Sequence, residues 1–248
     1  MPKDMMLITP FEKHRSKITE VLNKRYPNGV GVEIGVLKGD FSKQILENWN
    51  CSKYYLVDLW SNQLTKTNTA TVTYEEGWAS DEKIHNENYS AMLENTKKYK
   101  EKINIIRNYS HLAAVTFEDE SLDFIYLDAD HSYEGLKTDL MYWYPKLKKG
   151  GLIMGDDYHL KDLEYMGDNG QFGVTKAVNE FCNKINKNVS IEYTGDWHYC
   201  NSCDELEKVL IPKQIMKRLE GNKYIFNSLS HDHGIKYLIP SRNWYFIK

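Results

Sequence analysis

The chain has 248 residues, of which 41% are hydrophobic and 27% are charged, so it can form one folded domain with a sizeable core and is not disordered by composition. Its formal net charge of −3 lacks the basic excess that nucleic-acid-binding proteins show. No apolar run reaches the roughly 18 residues that span a membrane, and residues 1–15 carry charges throughout, unlike a secretory signal. We therefore expect a cytoplasmic protein that has neither nucleic acid nor membrane as a partner.

Short apolar strands alternate with segments of helical periodicity along the chain. The first helix is predicted over Phe11–Tyr26 and ends before the turn signal Pro27-Asn28-Gly29. The alternation is typical of an α/β, Rossmann-like fold, with a seven-stranded, mostly parallel sheet and helices on both faces. The predicted strands are Val30–Ile34, Tyr54–Asp58, Ile103–Arg107, Leu122–Leu127, Gly151–Gly155, Val189–Tyr193 and Trp244–Ile247, and the later helices are Asp40–Trp49 (capped by Asp40), Asn88–Tyr99, Ser110–Phe117, Tyr133–Leu147 and Val174–Ile185.

Two segments interrupt this alternation within what we expect to be a single domain over residues 1–248. Residues 59–86 are polar and rich in Thr, Asn and Glu, which favours an inserted, lid-like loop. Residues 196–241 form a long connection before the last strand and contain a predicted helix over Asp204–Leu219. We expect this connection to cover the substrate or to form a contact in a homo-oligomer, and the sequence does not decide between the two.

The residues directly after the first two strands indicate a ligand site, because parallel sheets bind ligands at the carboxyl ends of their strands. The first strand leads into the loop Glu33–Gly39, in which Gly35 lets the backbone turn tightly and approach a ligand. This loop is not GxGxxG, and its carboxylate stands where a diphosphate would have to fit, so it suits a cationic ligand. The second strand ends at Asp58, the position that binds ribose hydroxyls in such sheets.

Carboxylates also follow the fourth and fifth strands. Asp128 comes after the fourth strand, and Asp156 and Asp157 come after the fifth. Neighbouring parallel strands bring these side chains together, and three carboxylates repel one another unless they are protonated or bridged by a cation. A divalent ion with oxygen ligands, such as Mg²⁺, would relieve that repulsion. The alternative is that these aspartates cap helices or lie in water.

Together these segments resemble class I S-adenosylmethionine-dependent methyltransferases, over about residues 28–195 and again in the final strand. Within that family the resemblance is closest to metal-dependent O-methyltransferases of sugars, macrolides and catechols. It implies S-adenosylmethionine as the cofactor, with its amino-acid end at the glycine loop, its ribose at Asp58 and its adenine near Ser110. The cofactor-binding residues that it implies are Glu33, Gly35, Gly39, Ser42, Asp58, Ser110 and Asp130.

The same resemblance implies where the chemistry takes place. It makes Asp128, Asp156 and Asp157 the ligands of Mg²⁺ or another divalent ion, and Asp128 and His131 the catalytic residues. The catechol branch has a lysine as base at the position of His131, and a neutral imidazole can also accept a proton near pH 7. His159 is a second candidate for the base. In the implied mechanism the ion binds the acceptor hydroxyl and His131 takes its proton.

The acceptor is predicted from the polar insert. Its two tryptophans, Trp60 and Trp78, favour a sugar or glycan hydroxyl, because a sugar ring packs on indole and its hydroxyls bind polar groups. The alternatives are a catechol or other small-molecule acceptor, and a metal-independent methyltransferase. A Rossmann oxidoreductase is disfavoured because GxGxxG is missing. A non-enzymatic interaction protein on a methyltransferase fold is disfavoured because the glycine loop and Asp58 are both present.

Overall fold

The computed structural model describes residues 15–61, 81–158, 173–200 and 237–248. Most of the predicted insert, including Trp78, lies outside the described residues, as do His159 and the helix predicted over Asp204–Leu219.

The described chain alternates strands and helices as predicted. The longest of the described helices has 15 residues, and none of them is long and apolar enough to cross a membrane. The strands are β1 Val30–Ile34, β2 Lys53–Asp58, β3 Ile103–Arg107, β4 Leu122–Leu127, β5 Leu147–Gly155, β6 Ser190–Cys200 and β7 Tyr237–Ile247. The helices are α1 Arg15–Arg25, α2 Asp40–Asn48, α3 Glu82–Thr96, α4 Ser110–Ala114, α5 Tyr133–Trp143 and α6 Val174–Lys184, with short 3₁₀ turns at Lys97–Tyr99 and Tyr144–Lys146.

The strands form one seven-stranded sheet in the order β3-β2-β1-β4-β5-β7-β6. The pairs among β1 to β5 are parallel, and β7 runs antiparallel to both β5 and β6. This confirms the predicted α/β class and the mostly parallel, seven-stranded sheet. The strand order reverses between β1 and β4, so the loops after β1, β2, β4 and β5 open at one edge, where such sheets bind ligands.

Helices cover both faces of the sheet, as expected. On one face, Val32 and Ile34 of β1 pack with Leu140 and Trp143 of α5. On the other face, Leu56 and Tyr126 of the central strands pack with Leu22, Phe41, Ile45 and Met92 of α1, α2 and α3. Burying each large apolar side chain contributes about 1.5–3 kcal/mol, so these two layers hold the strand ends in fixed register.

The start of one helix and the cap of another differ from the prediction. Helix α3 begins at Glu82, because the Asp81 side chain accepts a hydrogen bond from the backbone N–H of Lys83 and caps the helix. The last residues of the predicted insert are therefore helical. At α2 the cap position is Gly39, with φ 74°, and Asp40 is the first helical residue, so the prediction that Asp40 is the cap was wrong.

The strands near the end of the chain are longer than predicted. β6 and β7 have 11 residues each and pair as far as Cys200 and Tyr237, so both ends of the predicted 196–241 connection belong to the sheet. The register shifts between Tyr193 and Trp197, and this irregularity lets the strand run through a Gly-Asp pair that reads as a turn in the sequence. β5 likewise starts at Leu147, because Leu147 pairs with Leu122 ahead of another register shift.

Candidate active site

The loop after β1 lies directly against the backbone of Asp128. Gly35 has φ +86°, and a Cβ atom at this position would lie 1.9 Å from the carbonyl oxygen of Asp128. The N–H of Asp128 donates to the carbonyl of Ile34 at 2.8 Å, which continues the β1–β4 pairing past the strand ends. Only glycine fits here. The predicted cofactor loop and the predicted metal residue are therefore immediate neighbours.

The rest of this loop is held by local hydrogen bonds. Leu37 and Gly39 are both left-handed, with φ 52° and 74°. The N–H of Gly39 donates to Val36 at 2.8 Å, and the indole N–H of Trp60 donates to the Leu37 carbonyl at 2.8 Å. The loop is thus fixed before any ligand arrives, and preorganisation of this kind favours binding.

Two predicted cofactor residues, Glu33 and Ser42, lie inside the protein. The Glu33 carboxylate accepts hydrogen bonds from the Ser42 hydroxyl at 2.7 Å and the Tyr54 hydroxyl at 3.2 Å. All three side chains are at most 2% exposed. Burial, together with the Glu33 carboxylate, raises the pKa of Tyr54 well above its usual value. In this arrangement Glu33 and Ser42 join β1 to α2 behind the loop, and their direct contact with a cofactor stays a prediction.

Asp58 holds the same loop from the neighbouring strand. Its Oδ2 accepts hydrogen bonds from the N–H groups of Val36 and Leu37 at 2.8 and 2.9 Å, and its Oδ1 accepts one from Trp60 at 2.9 Å. A carboxylate has about four acceptor positions, so the hydrogen bonds from described residues leave one, on Oδ1. One ribose hydroxyl at that position stays a prediction. Asp58 therefore has a structural role that the sequence did not predict, in addition to the predicted binding role.

We expect Asp58→Ala to destabilise the fold as well as to weaken cofactor binding. The change leaves three backbone N–H groups without their acceptor, and hydrogen bonds to a charged group contribute about 1.5–3 kcal/mol each. A loss of about 2 kcal/mol or more in the free energy of unfolding should appear in denaturant titration without cofactor. An unfolding curve identical to that of the wild type would contradict the structural role.

Trp60 belongs to the core and does not stack on a ligand. Its side chain is 1% exposed, and its ring packs edge-on against Tyr89 at 5.1 Å. The Arg107 guanidinium donates to the Trp60 carbonyl at 2.9 Å and lies 4.5 Å above the Tyr89 ring. The prediction that Trp60 contacts a sugar was therefore wrong. Through its contacts with Tyr89 and Arg107, this residue holds the start of the insert against the sheet.

Ser110, which the resemblance places near the adenine of the cofactor, is the centre of a buried hydrogen-bond network. Its hydroxyl donates a hydrogen bond to Oδ1 of Asp139 on α5 and accepts one from the Trp143 indole N–H at 2.8 Å. Burial raises the pKa of Asp139 to about 7, and the nearby Asp130 charge acts in the same direction while the Ser110 hydrogen bond opposes both. Because the only hydroxyl hydrogen of Ser110 is used internally, this side chain can contact a cofactor only as an acceptor.

Asp139 predicts a pH dependence of stability. The pKa of Asp139 in the folded protein is about 7, above the usual 3.8. Its favourable contribution to the free energy of unfolding is therefore complete below about pH 4 and is lost as the pH rises through 7. Asp139→Asn carries no charge at any pH. The stability of this variant relative to the wild type should therefore rise by about 2–3 kcal/mol between pH 5 and pH 8, measured by denaturant titration. A pH-independent difference between the two proteins would contradict the raised pKa.

Asp130 lies at the start of α5 and remains exposed to solvent. Its Oδ1 accepts a hydrogen bond from the N–H of Ser132 at 2.9 Å, and the Ser132 hydroxyl caps the helix by accepting from Gly135 at 3.0 Å. A Cβ at Gly135 would lie 2.3 Å from the Asp130 carboxyl carbon, so this glycine makes room for the carboxylate. Asp130 is therefore accessible from solvent, and its contact with a cofactor stays a prediction.

The acidic residues after β4 and β5 meet at His131. Its Nε2 lies 3.3 Å from Asp128 Oδ1 and 3.3 Å from Asp157 Oδ2, and one ligand atom from each of the three residues lies within 4.8 Å of the others. Asp157 adopts a left-handed backbone, with φ 61°, and its N–H donates to Oδ1 of Asp156 at 2.8 Å. We call Asp128, His131 and Asp157 the edge triad. Two carboxylate oxygens and an imidazole nitrogen are a donor set that fits a divalent ion.

The edge triad agrees only in part with the predicted metal ligands. Asp128 and Asp157 are brought together as expected. Asp156 lies outside this group of three, its Oδ1 accepts the N–H of Asp157, and its role as a ligand stays a prediction, while His131, predicted as a base, lies beside the two carboxylates. The sequence signal for this position was the spacing of His131 three residues after Asp128.

A family model described as a methyltransferase domain matches residues 32–158, from within β1 to just beyond Asp157. The matched part is just over half of the chain and contains the glycine loop, Asp58 and the edge triad. The chain belongs to the methyltransferase-domain family. No curated protein matches the sequence of this methyltransferase.

Solved structures share the fold of this methyltransferase at low sequence identity. The precorrin-6y C5,15-methyltransferase of Geobacter metallireducens is 11% identical, with a TM-score of 0.52, and the match covers 100% of this chain and 92% of that one. A proposed O-methyltransferase of Klebsiella pneumoniae is 10% identical, with a TM-score of 0.50 and coverage of 100% and 83%. A Methanobacterium thermoautotrophicum protein described as precorrin 8W decarboxylase is 14% identical, with a TM-score of 0.52 and coverage of 96% and 91%.

The protein is therefore a class I, S-adenosylmethionine-dependent methyltransferase. Two features of the structure fit that cofactor. The first is the preorganised loop at Gly35, which packs on the backbone of Asp128 at the carboxyl ends of β1 and β4, and the second is the acceptor position on Asp58 Oδ1 that none of the described hydrogen bonds uses.

Proposed function

We propose that this methyltransferase transfers the methyl group to a hydroxyl of a sugar or glycan, with the help of a divalent ion. The observation that carries the proposal is the edge triad, in which His131 lies 3.3 Å from carboxylates of two different strand ends. Gly35 packs on the backbone of Asp128, so a methyl donor at the glycine loop and an acceptor oxygen at the triad would be neighbours. Such proximity is a large part of catalysis in group transfer.

Each residue at this edge would have a separate role in the reaction. Asp128 and Asp157 would hold the ion, and Asp156 would keep Asp157 in place through its backbone N–H. When bound, Mg²⁺ or another divalent ion lowers the pKa of a coordinated hydroxyl and stabilises the alkoxide. His131 would take the hydroxyl proton on Nε2. The acceptor oxygen then bonds to the methyl carbon while the methyl–sulfur bond breaks, and the electron pair of that bond stays on sulfur.

A sugar acceptor is supported by the polarity of this edge. The described side chains at this edge include the carboxylates of Asp128, Asp130 and Asp157 and the imidazole of His131, and such polar groups bind the hydroxyls of a sugar. A catechol ring would require apolar walls. The polar composition of the insert adds to this support, whereas the buried Trp60 does not. The partner that we propose is a small-molecule or glycan acceptor, without nucleic acid or membrane, and a homo-oligomer contact through 196–241 stays a prediction.

The proposal is tested by an acceptor screen with S-adenosylmethionine labelled in its methyl group. Monosaccharides, oligosaccharides and catechols are offered with Mg²⁺ or Mn²⁺, and Asp157→Asn serves as the matched inactive protein. We expect label in at least one saccharide with the wild type and none with the variant. Label in catechols but in none of the saccharides would contradict the sugar acceptor and leave the metal and the methyl donor in place.

A further inference from the structure

The three donor atoms of the edge triad lie close enough together to bind one ion. His131 Nε2 is equally distant, at 3.3 Å, from Asp128 Oδ1 and Asp157 Oδ2, and all three atoms fit within 4.8 Å of one another. Three atoms in such a triangle share a point at about 2.0–2.5 Å from each, which is the range of metal–ligand distances in proteins. The imidazole nitrogen therefore occupies the corner that a third ligand would take.

We infer that His131 is itself a ligand of the ion in the protein without acceptor, together with Asp128 and Asp157. Asp156 is not part of this triangle of donor atoms, which come from Asp128, His131 and Asp157, and its Oδ1 accepts the N–H of Asp157. The site thus differs from the all-aspartate site expected from the sequence. The inference rests on the proposed function, since that function supplies the divalent ion.

A nitrogen ligand changes which ion the site favours. Carboxylate sites suit Mg²⁺ and Ca²⁺, whereas imidazole nitrogen suits later transition metals, and affinity rises from Mn²⁺ through Fe²⁺ to Co²⁺. With His131 as a ligand, the protein binds Co²⁺ or Mn²⁺ more tightly than Mg²⁺. His131 increases this preference, because it is the nitrogen donor among two carboxylate oxygens.

The ligand role and the base role of His131 belong to different stages. A coordinated imidazole has no free lone pair for a proton. The imidazole would therefore hold the ion in the protein without acceptor, and it would act as a base only when its Nε2 no longer holds the ion. The ligand role can accordingly be tested on the protein alone, without knowing the acceptor.

The test is pulsed electron paramagnetic resonance of Mn²⁺ bound to the full chain, in which a directly coordinated imidazole gives a ¹⁴N coupling. We expect the coupling in the wild type and in His111→Ala, a control for a histidine outside the triad, and no coupling in His131→Ala. The Kd for Mn²⁺ should rise at least tenfold in His131→Ala, since even indirect partners of metal ligands contribute about 10–100-fold. His131→Gln is a second variant. The amide oxygen of the introduced side chain can still bind the ion, while the nitrogen coupling is lost.

Competition titrations with Co²⁺ and Mg²⁺ give a second readout that a loss of folding would not produce. His131→Ala should lose more affinity for Co²⁺ than for Mg²⁺. A ¹⁴N coupling that persists in His131→Ala, or that disappears only in His159→Ala, would overturn the inference. If His131→Ala binds Mn²⁺ like the wild type while Asp157→Asn does not, the inference fails and the proposed function stands. If the wild type binds none of these ions, the metal in the proposed function fails as well.

Discussion

His131→Ala is expected to lower methyl transfer by about 10²–10⁴-fold, the usual contribution of a positioned general base. The imidazole lies within 3.3 Å of both carboxylates at the strand edge, so its removal leaves the acceptor proton without the proposed nitrogen acceptor. Binding of S-adenosylhomocysteine should change little, because Asp58 and Trp60 supply hydrogen bonds that hold the glycine loop. Single-turnover assays and calorimetry measure the two quantities separately.

The matched control for this variant is His111→Ala, which removes an imidazole that packs on Tyr142 at 5.8 Å outside the edge triad. Near-normal turnover in His131→Ala would rule out His131 as the base and direct attention to His159.

Removal of the divalent ion is expected to lower turnover about a thousandfold or more. A bound ion contributes several kcal/mol of charge stabilisation to the developing alkoxide, and Asp128 and Asp157 would otherwise repel each other and the alkoxide. Excess EDTA should abolish turnover, and added Mg²⁺ or Mn²⁺ should restore it. Asp157→Asn should remain inactive at metal concentrations that saturate the wild type.

Asp119→Asn is the matched control for this loss of a carboxylate, because Asp119 is an exposed residue paired with Lys146 at the surface. Full turnover in excess EDTA would contradict the role of the metal.

The sheet could be predicted from the sequence because its strands are short apolar runs with clear boundaries. β1, β3 and β4 have the predicted limits, and their parallel pairing follows from the helices between them. The start of α3 was missed because its first turns are polar, and only the capping Asp81 marks it. The length of β6 was missed because a register shift within a strand has the sequence of a turn.

The site was predictable as far as strand ends determine it. Parallel pairing of β4 with β5 brings Asp128 and Asp157 to one edge whatever the side-chain conformations are. Which of two consecutive aspartates faces that edge depends on the left-handed backbone of Asp157, and this is not visible in the sequence. The same applies to His131, whose ring nitrogen could have faced a substrate or the carboxylates.

Residues with a structural role next to the site were harder to predict. Trp60 lies in a polar segment that reads as a lid, yet its indole closes the core beside Tyr89. Asp139 follows Leu136 by three residues and precedes Leu140 and Trp143 on the buried stripe of α5, so its charged form is costly. A single carboxylate in an apolar stripe is a signal that sequence analysis can use.

The most direct test of the central claim is NMR of the product formed from S-adenosylmethionine carrying a ¹³C-labelled methyl group. The wild-type protein is incubated with the labelled donor, a divalent ion and the acceptor found in the screen. We predict that the labelled carbon is bonded to a former hydroxyl oxygen of a sugar, and that the signal disappears in EDTA. A labelled methyl bonded to nitrogen or carbon, or an O-methyl signal of full intensity in EDTA, would contradict metal-assisted O-methylation.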